Sequence, residues 1–468
     1  MTGLDASFLY FETPSMHMHV IGTLVLDPST TPGGWTDHAV RDLVVARLDL
    51  LEPFRRRLLP SALRLHHPVW VDVAHVDVDA HLSHVTAAAP GGMAELATEV
   101  ALFAERKLDR SRPLWEILVV NGLEGGRVAV VVKVHHSAVD GVGAAEVLGN
   151  LFDLLPSGRT ADELTQARRL AGTDRRPDPD LAARLMHSVA GAARMPWQAV
   201  KIVPTVAAAV TKLVRVRTGE GAPSGGAIPF VAPRAPFNGR ITPGRVVAFC
   251  DVPLADVKAV KAAVGGTFND AVIALCGGAF RHYLLARDEL PESSLIAVVP
   301  VSVRGADVTS GANQVSAMFT TLATDVADPR ERLEVVRQAN TAGKADHEAI
   351  GGSLVSQAAE LAPPTVTSFV ARAYSALRVA DLHPVVHNVV ISSVAGPPVQ
   401  IYFAGAAIEG LFPLGPVLEG PGLNITVVSY RDRVGFGFIA CSERMPDLAD
   451  LAAAVPAALA ELLAATGL

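Results

Sequence analysis

Residues 128–143, VAVVVKVHHSAVDGVG, set the strictest condition on how this chain can fold. Positions 128–134 are almost continuously apolar and rich in β-branched valine. Such a strand is stable where both its faces are covered, so it belongs in the middle of a layered sheet. It delivers two adjacent histidines, His135 and His136, to a turn containing Asp140, Gly141 and Gly143. Histidine titrates near neutral pH and can move protons. Consecutive strand residues point to opposite faces, so the two rings cannot both aim at one site while the strand stays extended. One is a candidate base and the other packs, which also disfavours a metal pair. Asp140 either orients the imidazole, as in a triad, or pairs with an arginine and holds the turn. Asp-Gly at a strand-to-helix turn favours the second.

Several chemistries are excluded by pattern. Gly141 and Gly143 open like a dinucleotide fingerprint, but Glu146 occupies the third glycine position. No G-x-S-x-G elbow or P-loop is present, and no cysteine lies near a histidine pair in sequence. Without an evident nucleophile for a covalent intermediate, direct attack of one substrate on another, assisted by a base, is favoured. A second double histidine, His66-His67, acts as a control. Pro68 follows it and Asp72 lies one residue too far, so it reads as a strand end.

At 468 residues the chain exceeds one core and implies two domains. Its net charge of −7 argues against a nucleic-acid partner. Cys250, Cys276 and Cys441 are widely spaced with no C-x-x-C, so a reducing compartment is expected and a zinc or redox site is not. The N-terminus lacks the basic start of a signal peptide, and no window of about 20 uninterrupted apolar residues suggests a membrane span.

The first domain is expected over 1–156. A strand at 16–27 places His17 and His19 on one face, where lining a space between elements is preferred to metal binding. Helices follow at 35–51, 93–108 and 144–155, with strands before and within the histidine segment. Residues 157–235 read as linker and crossover: 157–180 is charged and aperiodic, and 218–235 is rich in Gly and Pro. Between them 181–217 is Ala/Val-rich and broken by Pro196 and Pro204, either a packed crossover or a segment lying on a lipid surface. The second domain, 236–468, carries strands at 245–252, 295–301, 314–323, 387–394, 401–404, 423–430 and 434–441. Its helices are expected at 254–264, 267–287, 329–349, 353–379 and 447–466, with Thr267 or Asn269 capping the second. Each half is therefore α/β, a sheet with flanking helices.

The segment His135-His136-Ser137-Ala138-Val139-Asp140-Gly141 resembles the HHxxxDG signature of the chloramphenicol-acetyltransferase-like acyltransferase superfamily. Further segments narrow this: Leu4-Asp5-Ala6-Ser7-Phe8, Pro113-Leu114-Trp115-Glu116, Pro236-Phe237-Asn238, Asn269-Asp270, Pro300-Val301-Ser302-Val303-Arg304 and Leu423-Asn424. Together, across essentially the whole chain, they resemble the bacterial wax ester synthase/diacylglycerol acyltransferase family. Two segments depart from the family pattern, Ser392-Ser393-Val394-Ala395-Gly396-Pro397 and Ser15-Met16-His17-Met18-His19-Val20-Ile21-Gly22, and bear on substrate preference.

The resemblance implies two chloramphenicol-acetyltransferase-like domains, each a mixed sheet with flanking helices, with a tunnel between them. It implies transfer of a fatty acyl group from acyl-CoA, a substrate and not a cofactor, to diacylglycerol or a long-chain alcohol. His136 would be the general base and His135 its support. Asp140 and Gly141 would shape the turn, with Arg304 paired to Asp140 across the junction. Asn269, Asp270, Ser302 and Arg304 would line the substrate tunnel, although Asn269 and Asp270 also suit plain helix capping. A cytoplasmic enzyme peripheral to a membrane or lipid body is expected. The alternatives are a condensation-type domain and a non-catalytic lipid-body protein of the same fold.

Overall fold

The computed structural model describes residues 1–61, 66–139, 147, 149–171, 180, 182–183, 185–186, 231–302, 315–350 and 364–468. In chain order the first half contains α1 (Gly3–Phe11), β1 (His19–Asp27), α2 (Ala39–Arg47), β2 (Arg56–Leu59), β3 (Val69–Asp72), β4 (Leu82–Thr86), α3 (Met93–Glu105), β5 (Trp115–Asn121), β6 (Val128–His135) and α4 (Ala161–Ala171). The second half begins with β7 (Arg245–Pro253), α5 (Leu254–Ala263), α6 (Phe268–Leu285), β8 (Ile296–Ser302), β9 (Val315–Thr321), α7 (Pro329–Ile350), α8 (Pro364–Ala376) and α9 (Val379–Leu382). It ends with β10 (Val389–Ala395), β11 (Tyr402–Phe403), β12 (Ala406–Leu414), β13 (Leu423–Tyr430), β14 (Arg433–Cys441) and α10 (Leu448–Thr466).

Among the described residues the strands form two six-stranded mixed sheets and a small β2–β3 pair. The first sheet runs β11-β12-β1-β6-β5-β4 and the second β7-β14-β13-β10-β8-β9. The histidine strand β6 lies inside the first sheet, antiparallel to β1 and β5. Four of its five valines are buried, Val130 and Val131 fully enclosed, and Val132 is half-buried. On the second sheet α6 and α10 pack together over a continuous apolar core. Helix α10 is long and apolar enough to cross a membrane. In the fold, however, Leu451, Val455 and Leu459 are core residues of the second sheet.

The division at 156 and 236 does not follow the sheets. Residues 401–404, expected in the second sheet, supply β11 to the first, and β12 pairs along β1 from Leu414 opposite Ile21 to Ala407 opposite Asp27. A bulge between Val25 and Leu26 absorbs one extra residue of β12. The second sheet presses against this borrowed strand. A Cβ on Gly437 would lie 2.0 Å from the Pro413 carbonyl and one on Gly435 2.4 Å from the Leu411 carbonyl, so only glycine permits this approach. A shared cluster containing Ile21, Val131, Leu414, Val247 and Ile439 fills the junction.

Other boundaries shift for local reasons. The expected linker at 157–180 contains α4, opened by a Thr160–Glu163 capping box. The helix expected to 108 stops at Glu105, because Lys133 reaches its end and takes the Phe103 and Arg106 carbonyls. The strand expected from 16 starts at His19, because Met16 accepts a turn hydrogen bond from the Thr13 N–H. The helix expected over 35–51 is regular only over Ala39–Arg47 before tightening into 3₁₀ turns. The segment 187–217 lies outside the described residues.

Candidate active site

Strand β6 ends at His135, and the chain turns at once. The His135 N–H donates to the Leu114 carbonyl at 3.0 Å and the His136 N–H to the Met18 carbonyl at 2.7 Å. Both histidines are thus fixed between the ends of neighbouring strands. The strand ends between them, so the turn and not strand alternation sets their different surroundings. His135 is 1% exposed, whereas His136 is half-buried and stacks on Phe8 of α1 with ring centroids 4.0 Å apart.

The His135 tautomer follows from its partners. Its Nδ1 accepts from the Ser137 backbone N–H at 3.1 Å and lies 2.7 Å from the Ser137 hydroxyl. The ring proton is therefore on Nε2, which faces Glu12 Oε2 at 3.5 Å. Glu12 sits at the C-cap of α1, takes a hydrogen bond from Arg110 Nε at 3.1 Å and pairs with Lys107 at 3.2 Å. Burial works to raise its carboxyl. The His135 contact and the Arg110 and Lys107 charges outweigh burial and hold the carboxyl well below its usual range. Burial lowers the His135 pKa, with Glu12 opposing, so the ring is neutral at pH 7.

Around this pair lies a buried polar layer. His19 stands opposite His135 in the ladder, and its ring lies 6.1 Å from that of His135 and 5.4 Å from that of His17. Burial first, then the Lys133 charge, pushes the His19 pKa well down. Among the described residues no cluster of three or more His, Cys, Asp or Glu is arranged to hold a metal ion. Lys133, fully enclosed within β6, donates to the Phe103 and Arg106 carbonyls at 2.9 and 2.8 Å and pairs with Glu116 at 3.0 Å. Burial lowers its ammonium to about 8 despite Glu116. Trp115 is packing: it stacks between Phe54 and His81 and donates to the Phe54 carbonyl.

The second half separates the Asn269–Asp270 pair. Asp270 is buried, accepting from the Thr267 N–H at 2.7 Å and from Asn340 Nδ2 at 2.6 Å, so it closes the capping box of α6. Asn269 faces outward into a groove and accepts from the Ser393 hydroxyl at 3.3 Å. Ser302 ends β8, while Asp140, Gly141 and Arg304 lie outside the described residues. Sequence reasoning missed Glu12, Ser137 and Phe8. Nothing local marks Glu12, since its partners come from distant segments. Ser137 was visible two residues after His135, the spacing at which a hydroxyl can reach back to its neighbour.

Two mixed sheets and a histidine delivered at the end of a central strand define the chloramphenicol-acetyltransferase-like class of acyltransferases. A wax ester synthase/diacylglycerol acyltransferase from Marinobacter aquaeolei superposes with a TM-score of 0.65 at 28% identity, covering 99% of both chains. A trichothecene 15-O-acetyltransferase from Fusarium sporotrichioides shares the fold at 14% identity and a TM-score of 0.55, over 99% of this chain and 94% of that one. Within the class, residues 1–272 match the wax ester synthase/diacylglycerol acyltransferase catalytic domain and residues 311–463 the C-terminal domain of the same family. A Mycobacterium tuberculosis protein, provisionally named a diacylglycerol O-acyltransferase, is 38% identical over 465 residues, 99% of this chain and 90% of its own. The chain belongs to the wax ester synthase/diacylglycerol acyltransferase family and is an acyltransferase.

Proposed function

We propose that the protein transfers a fatty acyl group from acyl-CoA to the hydroxyl of diacylglycerol, and to long-chain alcohols, with His136 as general base. The observation that carries this is the contrast between the two histidines. His135 is sealed and its Nδ1 is already engaged by Ser137, whereas His136 is half-buried at the start of the turn and stacks on Phe8. An imidazole nitrogen of His136 takes the proton as the acceptor oxygen attacks the thioester carbonyl carbon. The resulting oxyanion collapses, the C–S bond breaks, and the imidazolium returns its proton to the CoA sulfur. A positioned base contributes about 10²–10⁴-fold to such a step. Two cysteines are poor alternatives as nucleophiles, because burial pushes both the Cys250 and the Cys276 thiol up, the latter to about 12.

Both substrates carry apolar chains, and the proposed place of action is a lipid surface in the cytoplasm, a membrane face or a lipid body. Helix α8, which packs on the α1 helix carrying Phe8, supports this by exposing Val366, Phe369 and Val370. The test of the reaction is ester formation from labelled acyl-CoA with diacylglycerol or hexadecanol. Wild type is expected to form ester and His136→Ala to lose it. No ester from wild type overturns the activity, and equal ester from the variant overturns the role of His136.

A further inference from the structure

Helix α1 and its C-cap meet the histidine turn at two points, Phe8 on His136 and Glu12 on His135. The start of the helix is fixed by a capping box: the Thr2 hydroxyl accepts from the Asp5 N–H at 3.2 Å, and the Asp5 carboxylate accepts from the Thr2 N–H at 3.3 Å. Ala6, Leu9 and Tyr10 are buried and pack with Leu58, Leu108 and Leu114 in a small core. Helix α8 packs on α1 as well. Phe8 stays outside that core and is only half-buried. Its ring instead lies nearly flat on the His136 imidazole, with centroids 4.0 Å apart and planes 22° from parallel. Among the described residues this is its one aromatic contact. An aromatic side chain on a helix with a core beside it is ordinarily most useful inside that core, so the place of Phe8 calls for another reason.

The stack can do two things for the imidazole. The His136 backbone is held through its N–H on the Met18 carbonyl at 2.7 Å, but the side chain still turns about two bonds. A flat contact on one face restricts the ring to one plane, and so restricts where its nitrogens point. The face of a phenyl ring also carries negative charge and attracts a cation above it. Neutral imidazole gains little from that field, whereas imidazolium gains more. In the proposed reaction the imidazolium exists only as the acceptor proton moves, so the contact strengthens towards the transition state. We infer that Phe8 is a positioning residue: its ring fixes the plane of the His136 imidazole and stabilises the imidazolium formed when the acceptor hydroxyl is deprotonated. The inference rests on His136 as the general base and adds what holds and tunes it. It also gives α1 a task, since the cap and core residues of this helix set one aromatic face against the histidine.

The test uses full-length protein with Phe8→Leu, which stays apolar without an aromatic face, and Phe8→Tyr, which keeps the face. Phe8→Met, a flexible filler of the same space, is the second apolar variant should Phe8→Leu fail to keep the wild-type melt. In turnover of acyl-CoA with hexadecanol, kcat should fall about tenfold in the apolar variants with KM unchanged, as loss of a cation–ring contact and a loosened base require. Phe8→Tyr should stay within about twofold of wild type. The acid limb of kcat against pH should move to lower pH in the apolar variants, because their imidazolium is less stabilised, and stay in place in Phe8→Tyr. Glu12, Arg110 and Lys107, the charged groups brought to the turn, pair with one another and with His135 and are common to every variant, as is His19 on β1 beside His135. A reading that needs no turnover is carbethoxylation of His136 by diethyl pyrocarbonate across pH, followed by peptide mass spectrometry with fragment ions that separate it from His135. Its midpoint should move as the kinetic limb does. An unmoved midpoint with unchanged kcat in the apolar variants overturns the inference. So does an equal fall of kcat in the apolar variants and Phe8→Tyr with the midpoint unmoved, which would make Phe8 packing alone. If the midpoint moves yet wild type forms no ester, the pairing stands and the proposed reaction falls. If ester forms at one rate in wild type and all variants, the reaction stands and the role of Phe8 falls.

Discussion

His135 Nε2 lies 3.5 Å from the Glu12 carboxylate, and both side chains are almost wholly enclosed. The folded state therefore favours ionised Glu12, whose pKa lies below the unfolded value of 4.5. On acidification the unfolded chain takes up this proton first. The resulting stability is present above pH 4.5 and lost as pH falls below it. Glu12→Gln should flatten that limb of a melting-temperature–pH curve and lower stability at pH 7 by about 1–3 kcal/mol. An acid limb identical to wild type would refute the account.

His17, His19 and His135 all have pKa values lowered from 6.5, with burial the first cause of each shift. The unfolded chain again binds the proton first, so stability is full above 6.5 and declines as pH falls below it. Neither ring nitrogen of His19 has a hydrogen-bond partner among the described residues. His19→Met removes a buried polar group at similar volume and should hold or raise the melting temperature at pH 7. It should also lessen the loss between pH 6.5 and 5. A large loss at pH 7 would count against this view of His19.

Lys133 joins the sheet to the end of α3 through two carbonyls and Glu116. Lys133→Met strands all three acceptors and should cost about 3–5 kcal/mol in denaturant unfolding. Adding Glu116→Gln should recover part of that cost. Strict additivity of the two substitutions would show that the pair is not coupled.

Asn269 and Asp270 are adjacent but should behave oppositely. Asp270→Ala opens the capping box and strands Asn340, costing about 1–3 kcal/mol while leaving kcat per folded molecule unchanged. Asn269→Ala should leave stability within about 0.5 kcal/mol and raise KM for acyl-CoA. Thermal melts with steady-state kinetics on both variants decide between these roles.

Phe369 is 72% exposed and Val370 57% exposed. Replacing both with serine should reduce flotation with liposomes while leaving turnover of detergent-dispersed substrate intact. Unchanged flotation would remove α8 from the lipid contact.

What could be read from sequence was local. The valine run dictated a buried strand and Thr267 marked a helix start, whereas the alternation expected to separate the histidines does not apply, because the strand ends at His135 and His136 already lies in the turn. The family signature added the choice of His136, which alternation alone could not make. What escaped was long-range. Strand β12 contains Gly410 and Pro413, residues that ordinarily weaken a strand, and its partner β1 lies at the far end of the chain. Glu12 becomes significant only once α1 has been brought beside the end of β6.

The loan of β12 to the first sheet governs the order of assembly. During synthesis β1 and β6 are made early, yet the outer edge of β1 stays open until residues 406–414 leave the ribosome. For most of translation the strand next to the histidines presents unpaired N–H and carbonyl groups, a template for mispairing with another chain. Cutting the protein between its halves would leave the same edge bare, so the catalytic half should not be obtainable alone as a well-behaved domain.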